Sequence, residues 1–202
     1  MILRLLRVCC CLLTVVVAAY GQAAEASLSM GASIFTDKDL GELGVQGAAR
    51  ETLKLDGSGF RVTARFSINN WRFFGHEFGY GYDRTGLDFG SQGGKVGMAV
   101  HQGFYDFLAH ALPEGATIRP FVCAGGGFSS FFPPGTSAFS GNGFTKFGYN
   151  YGGGVKLKLS PIYGMRFDLR DYVTGKPFGE FFPNVRGMLH NVEVSAGIAI
   201  LF

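Results

Sequence analysis

Hydrophobic and polar positions alternate one by one through the last stretch of the chain, residues 190–202. One set of alternate positions is apolar and ends on the terminal residue: Val192, Val194, Ala196, Ile198, Ile200 and Phe202. The other set is small or polar and includes Glu193. Successive side chains of a β-strand point to opposite faces, so this stretch predicts a strand with one apolar and one polar face.

The same two-residue period returns upstream and predicts eight strands in all. They span residues 26–35, 59–68, 73–83, 95–108, 117–128, 144–159, 164–173 and 190–202. Clusters of Gly, Pro, Asn and Asp separate them. The long connections are 36–57, 84–94, 129–143 and 174–189, and the short ones are Asn69-Asn70, 112–115 and Ser160-Pro161. The longest connection, 36–57, is polar, and we expect it to be a mobile loop.

The fourth of these strands loses its phase part-way along. It begins with Val96, Met98 and Val100 on the outward face, and the alternation breaks near Gln102 and Gly103. One extra residue shifts the phase of a strand in this way. The sequence therefore predicts a β-bulge at this point.

Charged residues share the polar face of the strands with many glycines. If the strands close into a barrel, this face lines the lumen and carries Arg61, Arg65, Glu77, Arg119, Lys156, Arg166, Asp168, Arg170 and Glu193. A barrel of about eight strands is only wide enough to be filled by its own side chains. Charges of both signs are expected to pair there, because an isolated ion away from water is very costly. We interpret the set as a structural charge network, and an ion-selective constriction is the alternative.

The N-terminus has the three parts of a secretory signal peptide. Arg4 and Arg7 precede a short apolar run, and small residues follow, which allow cleavage after Ala23 or Ala26. We predict a signal peptide over 1–26 and one barrel domain over 27–202. Three of the four cysteines lie in the leader, so the exported chain keeps a single cysteine, Cys123, and has no internal disulfide.

The composition of the chain indicates a membrane barrel rather than a soluble one. The 202 residues include 32 Gly, 21 Phe and 8 Tyr, yet after the leader there is no apolar run long enough for a transmembrane helix. In a membrane barrel the apolar residues are spread over alternate positions, and short periplasmic turns alternate with long outer loops. The sequence therefore predicts an all-β chain, an eight-stranded antiparallel up-and-down transmembrane barrel in a Gram-negative-type cell outer membrane.

Several C-terminal motifs strengthen this interpretation. Residues 152–156 read GGGVK, residues 166–172 read RFDLRDY, and His190-Asn191 begins the terminal strand that ends on Phe202. This part of the chain resembles the small bacterial outer-membrane barrels related to the OmpA-type transmembrane domain. The resemblance implies an eight-stranded barrel whose last residue, Phe202, is read by the barrel assembly machinery. It also implies contact with outer-membrane lipid and lipopolysaccharide.

Catalysis is not expected. Barrels of the lipid A deacylase type carry a His-x-Ser-Asn motif, whereas His190 and Ser195 here fall on opposite faces of one strand. The Gly-Gly-Gly runs lack the lysine and the following helix of a phosphate loop. We predict no enzyme, no cofactor, no metal and, because the chain is exported, no nucleic-acid partner.

The predicted function is a structural or interaction role at the cell envelope, with a side-chain-filled lumen and loops that face outward. A narrow porin-like channel or small-solute conduit is the first alternative. A secreted soluble barrel that binds an apolar ligand is the second. Phenylalanine-rich segments at 131–134 and 178–182 either contact an outside partner, which the sequence does not identify, or pack on the barrel mouth.

Overall fold

A computed structural model describes residues 23–36, 38–43, 51–90, 94–136, 143–179 and 187–202. The predicted signal peptide lies almost wholly outside these residues. These residues contain ten strands: β1 (Ala23–Thr36), β2 (Asp39–Leu43), β3 (Glu51–Leu55), β4 (Ser58–Trp71), β5 (Phe74–Asp88), β6 (Lys95–His110), β7 (Ile118–Phe132), β8 (Phe144–Lys158), β9 (Tyr163–Gly175) and β10 (Met188–Leu201). In the described part of the chain, no helix is long and apolar enough to cross a membrane.

Eight of these strands form a closed antiparallel barrel. Around its circumference β4, β1, β10, β9, β8, β7 and β6 follow one another, and β5 pairs with both β4 and β6. The first and last strands meet along β1 and β10, from Glu25 opposite Leu201 to Thr36 opposite His190. The prediction of an eight-stranded antiparallel up-and-down barrel is confirmed.

The two remaining strands correct the prediction of a mobile loop over residues 36–57. Strands β2 and β3 form a short antiparallel hairpin. Strand β3 also pairs with the end of β5, where Lys54 lies opposite Asp88 and Leu55 opposite Leu87. The prediction was wrong because the leucines of this segment are too few for a membrane strand but suffice to cover one end of the barrel.

Strand β6 corrects the predicted bulge and the predicted orientation of its first residues. Its register with β5 and β7 runs without a shift from end to end. Met98 and Val100 are fully buried and share the inward face with Gln102. The alternation of inward and outward residues is constant along β6. What changes is the lining of the lumen, which is apolar where β6 begins and more polar further along the strand. Apolar residues can therefore lie inside one part of a strand and outside the next.

The two ends of the barrel differ in their connections. At one end, called here the turn end, the chain turns at residues 72–73, 111–117 and 159–162. The other end, the loop end, carries the β2–β3 hairpin and the connections 133–143 and 176–187. The first turn falls after Trp71 rather than at Asn69-Asn70, because β4 runs three residues further than the alternation predicts.

The outer face of the barrel is apolar nearly all the way round. Its large hydrophobic side chains are among the most exposed in the protein, with Phe147 at 81%, Ile198 at 67% and Val122 at 63%. A soluble barrel has the opposite arrangement, since extended apolar surface of this kind is rare in soluble monomers. The predicted outward faces of the strands other than β6 are confirmed.

Candidate functional site

Buried charged side chains fill the lumen. The lumen charge network, as it is called below, comprises Glu25, Arg61, Arg65, Glu77, Asp83, Asp106, Lys156, Arg166, Asp168, Arg170 and Glu193. They project inward because each occupies an inward position of a barrel strand, and the strands bring together residues far apart in sequence. Eight of the nine residues predicted for the lumen face lie within it: Arg61, Arg65, Glu77, Lys156, Arg166, Asp168, Arg170 and Glu193. The ninth, Arg119, is buried in the lining of the cavity at the turn end.

Two arginines of β9 organise the middle of the network. Arg166 contacts both carboxylate oxygens of Asp168 at 2.8 Å and reaches Glu77 at 3.0 Å. Arg170 contacts Glu77 at 2.6 Å, Asp106 at 2.7 Å and Asp168 at 2.9 Å. Glu77 therefore bridges the two guanidinium groups. Such charge-assisted bonds are about twice as strong as neutral ones, and the planar guanidinium suits them.

A second group lies nearer the loop end and is centred on Glu193 of β10. Its carboxylate contacts Arg65 at 2.5 Å and Arg61 at 3.0 Å, and it accepts a hydrogen bond of 2.9 Å from the Tyr172 hydroxyl. Arg61 also contacts Asp83 at 2.7 Å. The guanidinium of Arg61 lies over the ring of Tyr172, 4.4 Å from its centroid. Each carboxylate here faces at least one guanidinium.

The turn end of the lumen holds the third group. Lys156 contacts Glu25 at 2.8 Å, and the other oxygen of Glu25 lies 3.1 Å from Arg166. Below them is a cavity of about 180 Å³, whose lining includes Arg119 and Glu114. Arg119 donates to the backbone carbonyls of Leu112 and Arg72 at 3.2 Å each. The cavity is a shallow opening at the turn end, because the side chains of the charge network fill the lumen next to it.

Some network members were missed from the sequence. Asp106 lies on β6 and was not counted, because no face was assigned to the residues of that strand beyond Gln102 and Gly103. Glu25 falls inside the predicted signal peptide 1–26 and was not considered for the lumen; in the structure β1 begins at Ala23 and Glu25 faces the lumen. Asp83 was placed on the inward face but not counted in the network. Assigning the even-numbered residues to the inward face all along β6 would have revealed Asp106. The Ala-Glu-Ala-Ser alternation at the start of β1 would have revealed Glu25.

Glycines make room for the large lumen side chains at two places on β5. A Cβ atom on Gly81 would lie 2.4 Å from the guanidinium of Arg61, and one on Gly79 would lie 2.1 Å from the ring of Phe104. Phe104 is itself covered by the guanidinium groups of Arg65 and Arg170, 5.9 and 5.6 Å from its centroid. The described side chains at the level of the network are thus packed as closely as in a protein interior.

Apolar side chains close the loop end. The apolar cap, as it is called below, consists of Phe35, Leu40, Leu53, Leu55, Leu87, Met98, Val100, Phe131, Phe178 and Leu189. Three of its leucines come from the β2–β3 hairpin, and the others line the inside of the barrel rim or, for Phe178, follow β9. Phe131 and Phe178 belong to the phenylalanine-rich segments, and both are buried in the cap. Outside it, a hydrogen bond to Asp56 raises the pKa of the exposed Lys95 ammonium.

The histidine and serine considered for catalysis lie on opposite sides of the barrel wall. Ser195 faces the lumen and donates a 2.5 Å hydrogen bond to Glu193. His190 faces outward, and its Nδ1 atom lies 2.7 Å from Asp171. In the described part of the chain, no three His, Cys, Asp or Glu side chains are placed to hold a metal ion.

No protein-family model matches the chain, and no curated protein matches its sequence. Solved structures do match it. Neisserial surface protein A is 13% identical with a TM-score of 0.56, and the alignment covers 90% of this chain and 97% of that one. The chain has the fold of small outer-membrane β-barrels.

Two further structures support the same fold. The outer membrane protein OprG from Pseudomonas aeruginosa is 15% identical, with a TM-score of 0.58, and the alignment covers 90% of this chain and 97% of OprG. The outer membrane protein AlkL is 17% identical with a TM-score of 0.54, and coverage is 90% and 89%. Identities this low establish the fold and leave the function to be argued from the residues.

Proposed function

We propose that the protein is an outer-membrane barrel with a closed lumen and a structural or interaction role at the envelope of a Gram-negative-type cell. The observation that carries the proposal is the combination of an apolar outer face with a lumen whose arginines, Arg61, Arg166 and Arg170, are at most 1% exposed. The outer face suits lipid, and the filled lumen suits an anchor rather than a passage.

The orientation follows from the connections. In outer-membrane barrels the short turns face the periplasm and the long loops face outward. The turn end, with both chain ends of the barrel, is therefore periplasmic, and the loop end with its apolar cap faces the outside. Outer-membrane lipid and lipopolysaccharide are then the immediate partners of the barrel wall.

A channel is disfavoured because the side chains that fill the lumen would have to separate. A pore through the middle of the lumen requires Arg166, Arg170 and Glu77 to separate. Each ion left without its partner would be exposed to a poorly solvated interior, at a cost of several kcal/mol. A small-solute conduit further requires the apolar cap to open.

Conductance measurements test this proposal. Residues 24–202 are refolded into detergent micelles, and a closed barrel is recognised by its β-type circular dichroism and its faster migration on gels without boiling. After transfer to planar bilayers, we expect no conductance steps. A variant in which a short Gly-Ser linker replaces residues 38–56 lacks the hairpin and is also expected to be silent, because the charge network remains. Regular steps from the intact protein would overturn the proposal in favour of the channel.

We also propose that Phe202 serves as the assembly signal. Its backbone is held by hydrogen bonds with Ala24, at 2.8 and 3.3 Å, but its side chain is 67% exposed and contributes little to packing. Phe202→Ser should therefore refold normally in vitro while yielding much less folded barrel in the outer membrane of cells. Ile200→Ser, on the same outward face, is the matched control and should assemble well. Equal yields from the two variants in cells would refute the role of Phe202.

A further inference from the structure

A polar cluster interrupts the apolar outer wall. Asp171 of β9 accepts a hydrogen bond of 3.0 Å from the Tyr151 hydroxyl, and the same oxygen lies 2.7 Å from Nδ1 of His190. The three side chains point outward, on the same face as Leu169 and Val194. The other carboxylate oxygen of Asp171 is buried and has no hydrogen-bond partner among the described residues. Ionisable groups on a lipid-facing surface are unfavourable and mark functional sites by default.

A groove runs along the wall from this cluster. Its floor is Gly153, an outward position of β8 between Tyr151 and Val155, where a Cβ atom would lie 2.5 Å from the carbonyl oxygen of Phe121. Only glycine fits there, so the wall is a side chain thinner at this point. Apolar side chains on four strands form the sides: Val122, Val155, Phe167, Leu169, Val192 and Val194. The groove is open to the outside and has a volume of about 780 Å³.

The groove and the cluster together have the form of an amphiphile's binding site. The apolar trough accepts a hydrocarbon chain, and the cluster at one end offers hydroxyl and imidazole groups beside a carboxylate. His190 is the third residue of β10 from the loop end, so the cluster lies toward that end and the trough extends toward the middle of the wall. A chain lying in it would have its polar end near the outer surface of the membrane.

We propose that this groove binds an acyl chain of lipid A, the lipid part of lipopolysaccharide. The inference rests on the proposed outer-membrane orientation, which places the groove in the outer leaflet. The acyl chain lies over Gly153 between Leu169 and Val122. Its hydroxyl, amide or ester group exchanges hydrogen bonds with Tyr151, Asp171 and His190. This gives a role to a cluster of ionisable groups on a face that is mostly apolar.

Native mass spectrometry of the refolded barrel provides the test. Purified lipid A is added in detergent at increasing ratios, and the fraction of barrels that keep one lipid is measured. Val194→Trp fills the groove and should weaken retention about tenfold, because the chain loses its apolar contacts. Val62→Trp makes the same change on the outer face of β4, which is not part of the groove, and should bind as the unaltered protein does.

The polar end is tested separately. Asp171→Asn with His190→Gln keeps the volume of the cluster but removes its charge, and it should lower retention of lipid A more than that of phosphatidylglycerol with chains of equal length. If Val62→Trp and Val194→Trp retain lipid A equally well, the groove is not the binding site. Equal retention of phosphatidylglycerol and lipid A by the unaltered protein would overturn the assignment to lipid A. Failure of the proposed function gives a different result. Binding of lipid A is measured in detergent and does not depend on how the barrel is oriented in a membrane. A chain that never inserts into liposomes would refute the membrane assignment itself.

Discussion

The lumen charge network and the apolar cap close the same barrel by different means. The network takes one to three side chains from each barrel strand except β7 and holds them by paired, directional bonds. The cap is built from strand ends and the β2–β3 hairpin and is held by apolar burial, which has no directional requirement. The network depends on each partner being present, whereas the cap depends on the total surface that it buries.

The difference has a consequence for substitutions. A buried ion pair is weak evidence of net stability, but removal of one partner leaves an uncompensated charge and is strongly destabilising. In an apolar cluster, truncation removes contacts in proportion to the atoms lost. The network should therefore be brittle, meaning that the loss of one partner destabilises the barrel strongly. The cap should respond in a graded way and lose stability in proportion to the atoms removed.

The largest effect is expected from Glu77→Gln. Glu77 bridges Arg166 and Arg170, so the variant leaves excess positive charge at the centre of the network. We expect a loss of about 3–5 kcal/mol in the free energy of unfolding, measured by urea denaturation of the barrel in lipid vesicles. Asp56→Asn, which breaks the exposed ion pair with Lys95, is the control and should leave the midpoint unchanged. A Glu77→Gln barrel as stable as the control would show that the network is not brittle.

A smaller and local effect is expected from Leu55→Ala in the cap. The lost packing amounts to about 2–5 kcal/mol, and it should open the hairpin without unfolding the barrel. Amide hydrogen exchange of residues 39–43 and 51–55 should become faster, while exchange in β9 stays slow. Lys54→Ala changes the exposed neighbour in the same hairpin and serves as the comparison. Faster exchange throughout β9 would mean that the cap and the network unfold together.

The smallest effect is expected at the edge of the network, from Glu25→Gln. Its partners Lys156 and Arg166 lie near the cavity at the turn end, where water reaches more easily. We therefore expect a loss of about 1.5–3 kcal/mol in the free energy of unfolding, as for hydrogen bonds to charged groups.

The contacts of Glu25 also favour removal of the signal peptide after Ala23, since cleavage after Ala26 would discard Glu25. Mass spectrometry of the protein isolated from membranes should show Ala24 as its first residue. A mature chain that begins at Ser27 would exclude Glu25 from the network.

The period of two predicted most of the barrel because a membrane barrel has two sharply different faces. The inward charges of β4, β9 and β10 and the outward residues of β8 follow directly from it. The rule fails where the lumen itself becomes apolar, as at Met98 and Val100, because an inward and an outward position then look alike. The sequence therefore identified members of the network on five strands, β4, β5, β8, β9 and β10, and missed Glu25, Asp83 and Asp106.

Other features depend on contacts that no local pattern reports. The β2–β3 hairpin is stabilised by packing on strand ends that are distant in sequence, and its own leucines show no distinctive period. The cluster of Tyr151, Asp171 and His190 comes from three strands and forms only when β8, β9 and β10 lie side by side. The pairing of Arg166 with Asp168 is different, since two inward residues of one strand are neighbours in any register.

The seam between β1 and β10 has a consequence for how the chain reaches this state. Glu25 pairs with Leu201, so the barrel cannot close before nearly the whole chain has been made. Until then both border strands present unpaired backbone groups, which are templates for pairing with other chains. Contacts so distant in sequence also form slowly, because the entropy of closing the loop is lost before the contacts stabilise it. We therefore expect the exported chain to be prone to aggregation until this seam forms, and closure to be its last step.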